Sequence, residues 1–541
     1  MGITSFFSRM EAAGYTRIVD NIGWRGDDVH TYAVIDGPSF AFHIFRNCDK
    51  NIDEQSEDII GSSVSYTDCA SATVTFLETL EDHGIIIDSV FFDGALPAWK
   101  RPTRRARLQK FAHGLDTYRK QQDKQTKSQV ASVEPLQCGL VPPFLVQAVQ
   151  EAILGSRFKN LVYAVPGEAD EYCVTAAKKA NLTHVDKKVA IFTSDSDLAV
   201  YESGMQTHIM LFDDYYQIQP DALGSVIKAT TFWPGAIARK IWQDNLHELA
   251  YYMAVYKDQS VARLIATKIG PGKSPPVDEY RSFTEHFTAK VADSLSLLQG
   301  DEAERQSLSG LDARVAELVH QAKTKTGLAS PDEFEIFLPF VIEDSSKRSA
   351  WRVGSGIRQA AYTILLKHLD CSETPIREFK RSGVASGSLK VSGMDDSALQ
   401  MGLDALYEYF DEDTRRAASG DESAVESWRT VIIRLMLADM EGEVLLPQPD
   451  DLVDLIDGTL CTDWQMVHLS AHYQTTFYSV RLLHQVMQYC HRDGHKPKLL
   501  VRLDGMPGIA AFFEPDESFA GTDAEDEWCR FFEEHLATMN T

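Results

Sequence analysis

Six acidic residues stand at or just beyond the ends of apolar runs. "TYAVID" (31–36) ends in Asp36, and "DSVFFDG" (88–94) carries Asp93. "NLVYAV" (160–165) is followed by Glu168 and Asp170, and "KKVAIFTSD" (187–195) leads into Asp195 and Asp197. Carboxylates packed together repel one another, and some stay protonated. Divalent cations remove that cost, and Mg²⁺ prefers hard oxygen ligands. Two such ions roughly 4 Å apart activate a water and stabilise the leaving oxygen in phosphodiester cleavage. Five Asp and one Glu, with no His among them, suit that chemistry rather than a zinc site. Each acid alone has a plainer reading. Asp195 or Asp197 can cap a turn, and Glu168 and Asp170 suit a helix's first turn. The common register of all six favours metal ligation.

A basic segment follows the second acidic run. Trp99–Lys127 holds ten Lys and Arg against two acids. Pro102 suits the first turn of a helix, and Arg104 and Arg107, three apart, share a face. Beside a metal cluster, such a helix would hold substrate phosphates. The candidates are Arg101, Arg104, Arg105, Arg107 and Lys110, with Lys100 just before the helix start. The plainer readings are a solvated helix face or a nuclear-import signal.

The four acid-ended runs, with "THIMLF" (207–212), read as buried strands. Helical stretches at 66–82, 142–155 and 168–180 separate them. Such alternation predicts a mainly parallel α/β sheet, in which ligands bind beyond the carboxyl ends of the strands. The six acids are therefore expected at one sheet edge. After about residue 270 the alternation fades. "GPGKSPPVDEY" (270–280) reads as a linker, the remainder as mostly helical with loops near 385–395 and 444–451, and the last 30-odd residues as a solvated acidic tail.

The segments "MGITSFF", "VIDGPSFAFH", "FFDGALPAWKRPTRRAR", "VPGEADEYCV" and "TSDSDLAVY" resemble, in order and acid spacing, the motifs of the flap-endonuclease/XPG nucleases. The resemblance covers roughly residues 1–220. "SAWRVGSGIRQAAYTILL" (349–366) and "IREFKRSG" (376–383) are similar to the C-terminal region of Asteroid-type proteins, especially fungal ones. The resemblance implies a PIN-like, XPG-type three-layer α/β fold with a mainly parallel sheet, plus a mostly helical C-terminal region. It divides the chain into a nuclease domain (1–265, basic arch 99–135), a helical region (266–510) and the acidic tail (511–541). It implies a structure-specific DNA endonuclease using two Mg²⁺ ions, with Mn²⁺ as a substitute. The ions would sit on Asp36, Asp93, Glu168, Asp170, Asp195 and Asp197. Lys100 and Arg107 match the phosphate-contacting basic pair of flap endonucleases. Those enzymes carry a seventh carboxylate, for which Asp258 is the candidate here, although the surrounding match and the hairpin that follows it depart from the pattern. The substrate implied is DNA with single-strand/double-strand junctions, and DNA work implies the nucleus, otherwise the cytoplasm.

Composition narrows the classes. The formal net charge of −26 argues against a general nucleic-acid coat protein. Eight scattered cysteines, without a C-x-x-C pair, read as reduced thiols in an intracellular protein. No apolar run approaches the ~20 residues of a membrane span. "GPGKS" (270–274) lacks the first P-loop glycine, since Thr267 stands there. His468 and His472 lack the Glu of a helical zinc protease motif and read as structural. Cys490, His491 and His495 lack a second Cys–His cluster. Two other functions stay open: a catalytically weak or inactive scaffold, with protein partners on the C-terminal half, and a nuclease of RNA.

Overall fold

The computed structural model describes residues 3, 5–15, 17–26, 29–49, 64–97, 100–125, 140–221, 224–270, 272–285, 287, 308–325, 333–417, 423–440, 447–457, 463–492, 494–515, 529–533 and 536–537. Parts of the expected arch (99 and 126–135), of the expected loop near 444–451 (444–446) and of the tail (516–528, 534–535 and 538–541) lie outside them. The chain forms two compact units. One comprises Met1–Asn47, Ala70–Gly94 and Ala152–Gly310; the other comprises Cys48–Cys69, Ala95–Glu151 and Leu311–Thr541. These divisions differ from the expected 1–265, 266–510 and 511–541, because the chain passes from one unit to the other several times.

Among the described residues of the first unit, seven strands form one sheet in the order β1-β7-β6-β5-β2-β3-β4. They are β1 (Ile18–Trp24), β2 (Thr31–Asp36), β3 (Ile85–Asp93), β4 (Val162–Val165), β5 (Lys188–Thr193), β6 (Thr207–Asp221) and β7 (Gly224–Phe232). β2 to β6 run parallel, and β7 and β1 add antiparallel strands at one edge. The chain leaves β2 for β3 and β4, then returns to β5 on β2's other side. The order therefore reverses between β2 and β5, where open parallel sheets place their ligands.

The strands are continuous apolar runs because both faces are covered. On one face Val34, Phe91 and Ile191 pack with Cys173 and Ala177 of α6 (Ala169–Thr183, the next helix in the chain after α5, Leu145–Leu154) and Phe6 of α1 (Phe6–Ala12). On the other, Phe192 and Phe212 meet Phe40 of α2 (Gly37–Asp49) and Phe76 of α3 (Tyr66–Asp82). Ile191 and Phe192 point to opposite sides, as the two-residue period requires. The expected linker is part of this unit. Its Pro275-Pro276 precedes the helix Val277–Thr284, and Phe283 and Phe287 are buried in the same core. Prolines that end one element here start the next.

The second unit is mostly helical, with one correction. The expected loop near 385–395 is largely the strand β10 (Ala385–Val391), hairpin partner of β9 (Ile376–Ser382); β9 also pairs parallel with β8 (Phe334–Phe337). α4 (Arg101–Gln125) packs Leu108 on Phe337 and Phe379, and sets Phe111, Leu115 and Tyr118 with Ile342, Trp464 and Val467. The two C-terminal motifs meet in a buried ion pair. Arg358, fully buried, donates to Glu378, to Ser479 and to the Val353 and Trp351 carbonyls, and Tyr362 donates to Glu378. A buried pair needs such complete hydrogen bonding to be tolerated. The tail is not wholly solvated either. Phe512 and Phe513 pack on Phe477, and Phe532 is buried, because these apolar residues punctuate the acidic stretch. No described helix is long and apolar enough to cross a membrane.

Candidate metal centre

Register brings the acids to one edge. Asp36 lies opposite Phe91 of β3, Asp93 lies opposite Val165 at the end of β4, and Ile35 lies opposite Phe192 near the end of β5. A glycine follows each of the first two acids. A Cβ on Gly37 would stand 2.7 Å from the Phe91 carbonyl oxygen, and one on Gly94 2.4 Å from that of Val165. Both distances are prohibitive, so the Asp-Gly pairs let neighbouring backbones close tightly under the carboxylates.

Each acid is oriented by its own contacts. Asp36 is 4 % exposed. Its Oδ2 accepts from Ser39 Oγ at 2.6 Å and from Thr193 Oγ1 at 2.7 Å. Asp93 Oδ1 accepts from the Ala169 N–H at 2.8 Å, at the start of α6, where the helix dipole favours a negative charge. Glu168 is the N-cap residue of α6, and Asp170 lies in its first turn. Asp195 caps a short 3₁₀ turn, Ser196–Ala199, accepting the Asp197 N–H at 2.8 Å. The plainer capping role of Asp195 is therefore real, and it coexists with a place in the cluster. Asp197 Oδ1 accepts from the Ile3 N–H at 3.0 Å, which joins the first and last nuclease-like motifs.

Electrostatics tie five of the six acids together. Burial pushes the Asp170 carboxyl well above the usual carboxylate range, and Asp36, Asp195, Asp93 and Glu168 push it further. Burial also raises Asp36, against the hydrogen bonds from Ser39 and Thr193. The sixth, Asp197, acts with Asp170 and Glu168 on buried Tyr201, whose phenol burial already holds upward. Among the described residues, no three of His, Cys, Asp and Glu stand in a finished metal-holding group. The fit to Mg²⁺ rests on the donor chemistry, all hard oxygens, and on a mutual repulsion that a cation would relieve.

The other expected site residues fare differently. Asp258 is exposed on the turn after the helix His247–Val255 and acts electrostatically on Arg9, whose guanidinium donates to three nearby carbonyls. No described interaction links Asp258 to the six acids. In the second unit, Arg104 makes a two-pronged bond to Glu317 and lies 4.1 Å over the Phe337 ring. Arg101 and Arg105 both reach Glu335, at 3.0 and 3.4 Å. Arg104 holds its carboxylate in the fork geometry that a phosphate would use, and Arg101 and Arg105 each make a single contact to theirs. Arg107 and Lys110 are exposed, and Lys100 is half-buried. Ser39 and Thr193, which sit inside "DGPSF" and "FTSD", and the clamping acids Glu317 and Glu335 are not among the expected site residues. The hydroxyls had a local signal in their spacing from Asp36 and Asp195. The clamping acids had none, being more than 200 residues from their partners.

Residues 141–392 match the family model described as "XPG domain containing". That match supports kinship with the XPG-like nucleases and a nuclease-type function. It covers just under half of the chain. It contains the two acid pairs, Glu168/Asp170 and Asp195/Asp197, and begins after Asp36, Asp93 and the basic segment. No curated protein matches the chain. The XPG-like stretch also extends over β8 and β9, so the buried Arg358–Glu378 pair lies within it.

Proposed function

We propose that the protein is a Mg²⁺-dependent, structure-specific DNA endonuclease acting at flaps, overhangs or branches, and that its place of work is the nucleus. The observation that carries this is the field around Asp170: four other carboxylates press on one buried acid at the switch point of a parallel sheet. Asp36, Asp93, Glu168, Asp170, Asp195 and Asp197 would hold two divalent ions. When bound, such ions supply Lewis acidity toward a phosphodiester and lower the pKa of water. The protein's own part is positional. Ser39 and Thr193 hold Asp36, the Ala169 N–H holds Asp93, and the Asp197 N–H holds Asp195. Arg107, with Lys100, is proposed to hold a phosphate of the substrate. Charge-assisted contacts of that kind orient a phosphate better than neutral donors do.

The test is cleavage of flap, overhang and hairpin DNA, alongside matched RNA, by purified full-length protein with Mg²⁺. Asp93→Asn and Asp195→Asn should each cut the rate by at least ~100-fold, the scale of losing one electrostatic contributor to a transition state. Inert wild-type protein, or variants as fast as wild type, would end the proposal. Preference for RNA would keep the chemistry and change the substrate. A second reading, a catalytically weak scaffold, draws on the arginines already committed to Glu317 and Glu335. It predicts Mg²⁺ binding at the acids without turnover on either nucleic acid.

A further inference from the structure

The second unit holds a cavity of about 270 Å³ where two long helices end. His368 closes the helix Ser355–His368, and Tyr489 and Cys490 close the helix Trp464–Cys490. The turn beyond adds His491, Arg492 and His495 to the lining. Tyr489 is the wall that sets the others. It is buried, its ring carries the Arg492 guanidinium at 4.6 Å, and His368 stands edge-on to it at 5.8 Å. Arg492 Nε also donates to the Tyr489 carbonyl at 3.4 Å.

The lining is basic in an acidic protein. The chain has 79 Asp and Glu against 53 Lys and Arg, yet the described lining has three imidazoles, a guanidinium and no carboxylate. Asp504, on the following segment, is already taken by Lys496, His484 and Gln488. Basic residues at one helix end complement its dipole, but that does not explain four donor groups from two helix ends and a turn gathered around one cavity. Imidazole and thiol groups also suit zinc. One observation weighs against a cation here: Arg492, itself a cation, is held beside the lining by its ring contact and hydrogen bond to Tyr489. Imidazole N–H and guanidinium groups are donors, and together they suit an oxyanion. The volume lies just below the range of drug-sized ligand pockets, which fits a phosphoryl group rather than a whole dinucleotide.

We propose that this cavity binds a phosphomonoester group, with Arg492, His368, His491 and His495 as donors. The proposal is independent of the nuclease reading. It is tested by calorimetry on full-length protein in EDTA, titrating inorganic phosphate, a short 5′-phosphorylated DNA strand and the same strand with a 5′-hydroxyl. One phosphate should bind per chain. Arg492→Gln should weaken binding at least ~10-fold, as expected for loss of a charge-assisted contact. His495→Gln should weaken it by a smaller factor and, being an exposed turn residue, serves if Arg492→Gln unfolds. Tighter binding of the phosphorylated strand than of inorganic phosphate and of the hydroxyl strand, with that excess lost in Arg492→Gln, identifies a strand end as the source. Equal binding of both phosphates identifies a small free anion. The proposal is overturned if wild-type protein binds neither phosphate, or if a folded Arg492→Gln/His495→Gln variant binds unchanged. It is equally overturned if, in EDTA-free buffer, the cavity instead takes up Zn²⁺ in a manner lost with Cys490→Ser.

Discussion

Asp170 binds its proton more tightly in the folded chain than in the unfolded one. Its contribution to stability therefore falls as pH rises from the unfolded carboxylate value, ~3.9, through its raised folded value. Asp170→Asn removes that liability. In EDTA at pH 7 the variant should melt higher than wild type, by ~2–4 °C for each 1 kcal/mol of repulsion relieved. Added Mg²⁺ should raise the wild-type melting point more than the variant's. A lower melting point in EDTA would contradict the reading of these acids as mutually repelling. Gly94 offers a steric counterpart. Gly94→Ala forces a Cβ against the Val165 carbonyl, and overpacking of this kind costs about 1–3 kcal/mol. It should also slow cleavage, because the end of β3 carries Asp93. Arg104 and Glu317 test the clamp on α4. Their side chains are only 13 and 9 % exposed, so Arg104→Met strands a nearly buried carboxylate. That should cost about 3–5 kcal/mol, and adding Glu317→Leu should recover most of it. Denaturant titration of the single and double variants measures both.

At the scale of elements, the helix Trp464–Cys490 makes a pH-sensitive support. The His468 and His472 rings lie 4.5 Å apart at a 58° tilt, and burial pushes both down to about 3. Unfolded, they titrate near 6.5, so the unfolded chain binds more protons throughout the interval between. Stability is intact above pH 6.5 and is lost as pH falls toward 3, at up to about 1.4 kcal/mol per pH unit for each histidine. Denaturation midpoints at pH 7 and 5 should differ less in His472→Leu than in wild type. The same element shows what sequence makes legible. The expectation that these histidines are structural needed only their spacing and the absence of a Glu, and local pattern was equally sufficient for β2, α3 and the acid-ended strands. β1, β7, β9 and β10 escaped notice because they are rich in polar residues, as in "ASGSLKV" of β10; β8, "FEIF", is buried throughout but only four residues long. The pairing of Arg101, Arg104 and Arg105 with Glu317 and Glu335 escaped for another reason. An arginine that grips phosphate and one that grips a distant carboxylate have the same sequence signature.

The whole molecule is interleaved: α4 lies in the chain between β3 and β4, yet belongs with the sheet β8–β10. A fragment ending at residue 265 would therefore expose Leu108, Phe111, Leu115 and Tyr118, which pack on residues 337–379 and 464–467. Such a fragment should aggregate, and full-length protein should not, as light scattering of the two at equal concentration would show. The arrangement also has a timetable. A ribosome adding ~5–20 residues per second finishes α4 on the order of tens of seconds before it reaches β9 and β10. Throughout that interval the helix waits with its apolar face uncovered. Synthesis of this chain is thus expected to lean on chaperones that bind nascent chains, and synonymous codons that delay translation between residues 126 and 391 should lower the soluble yield without altering a single side chain.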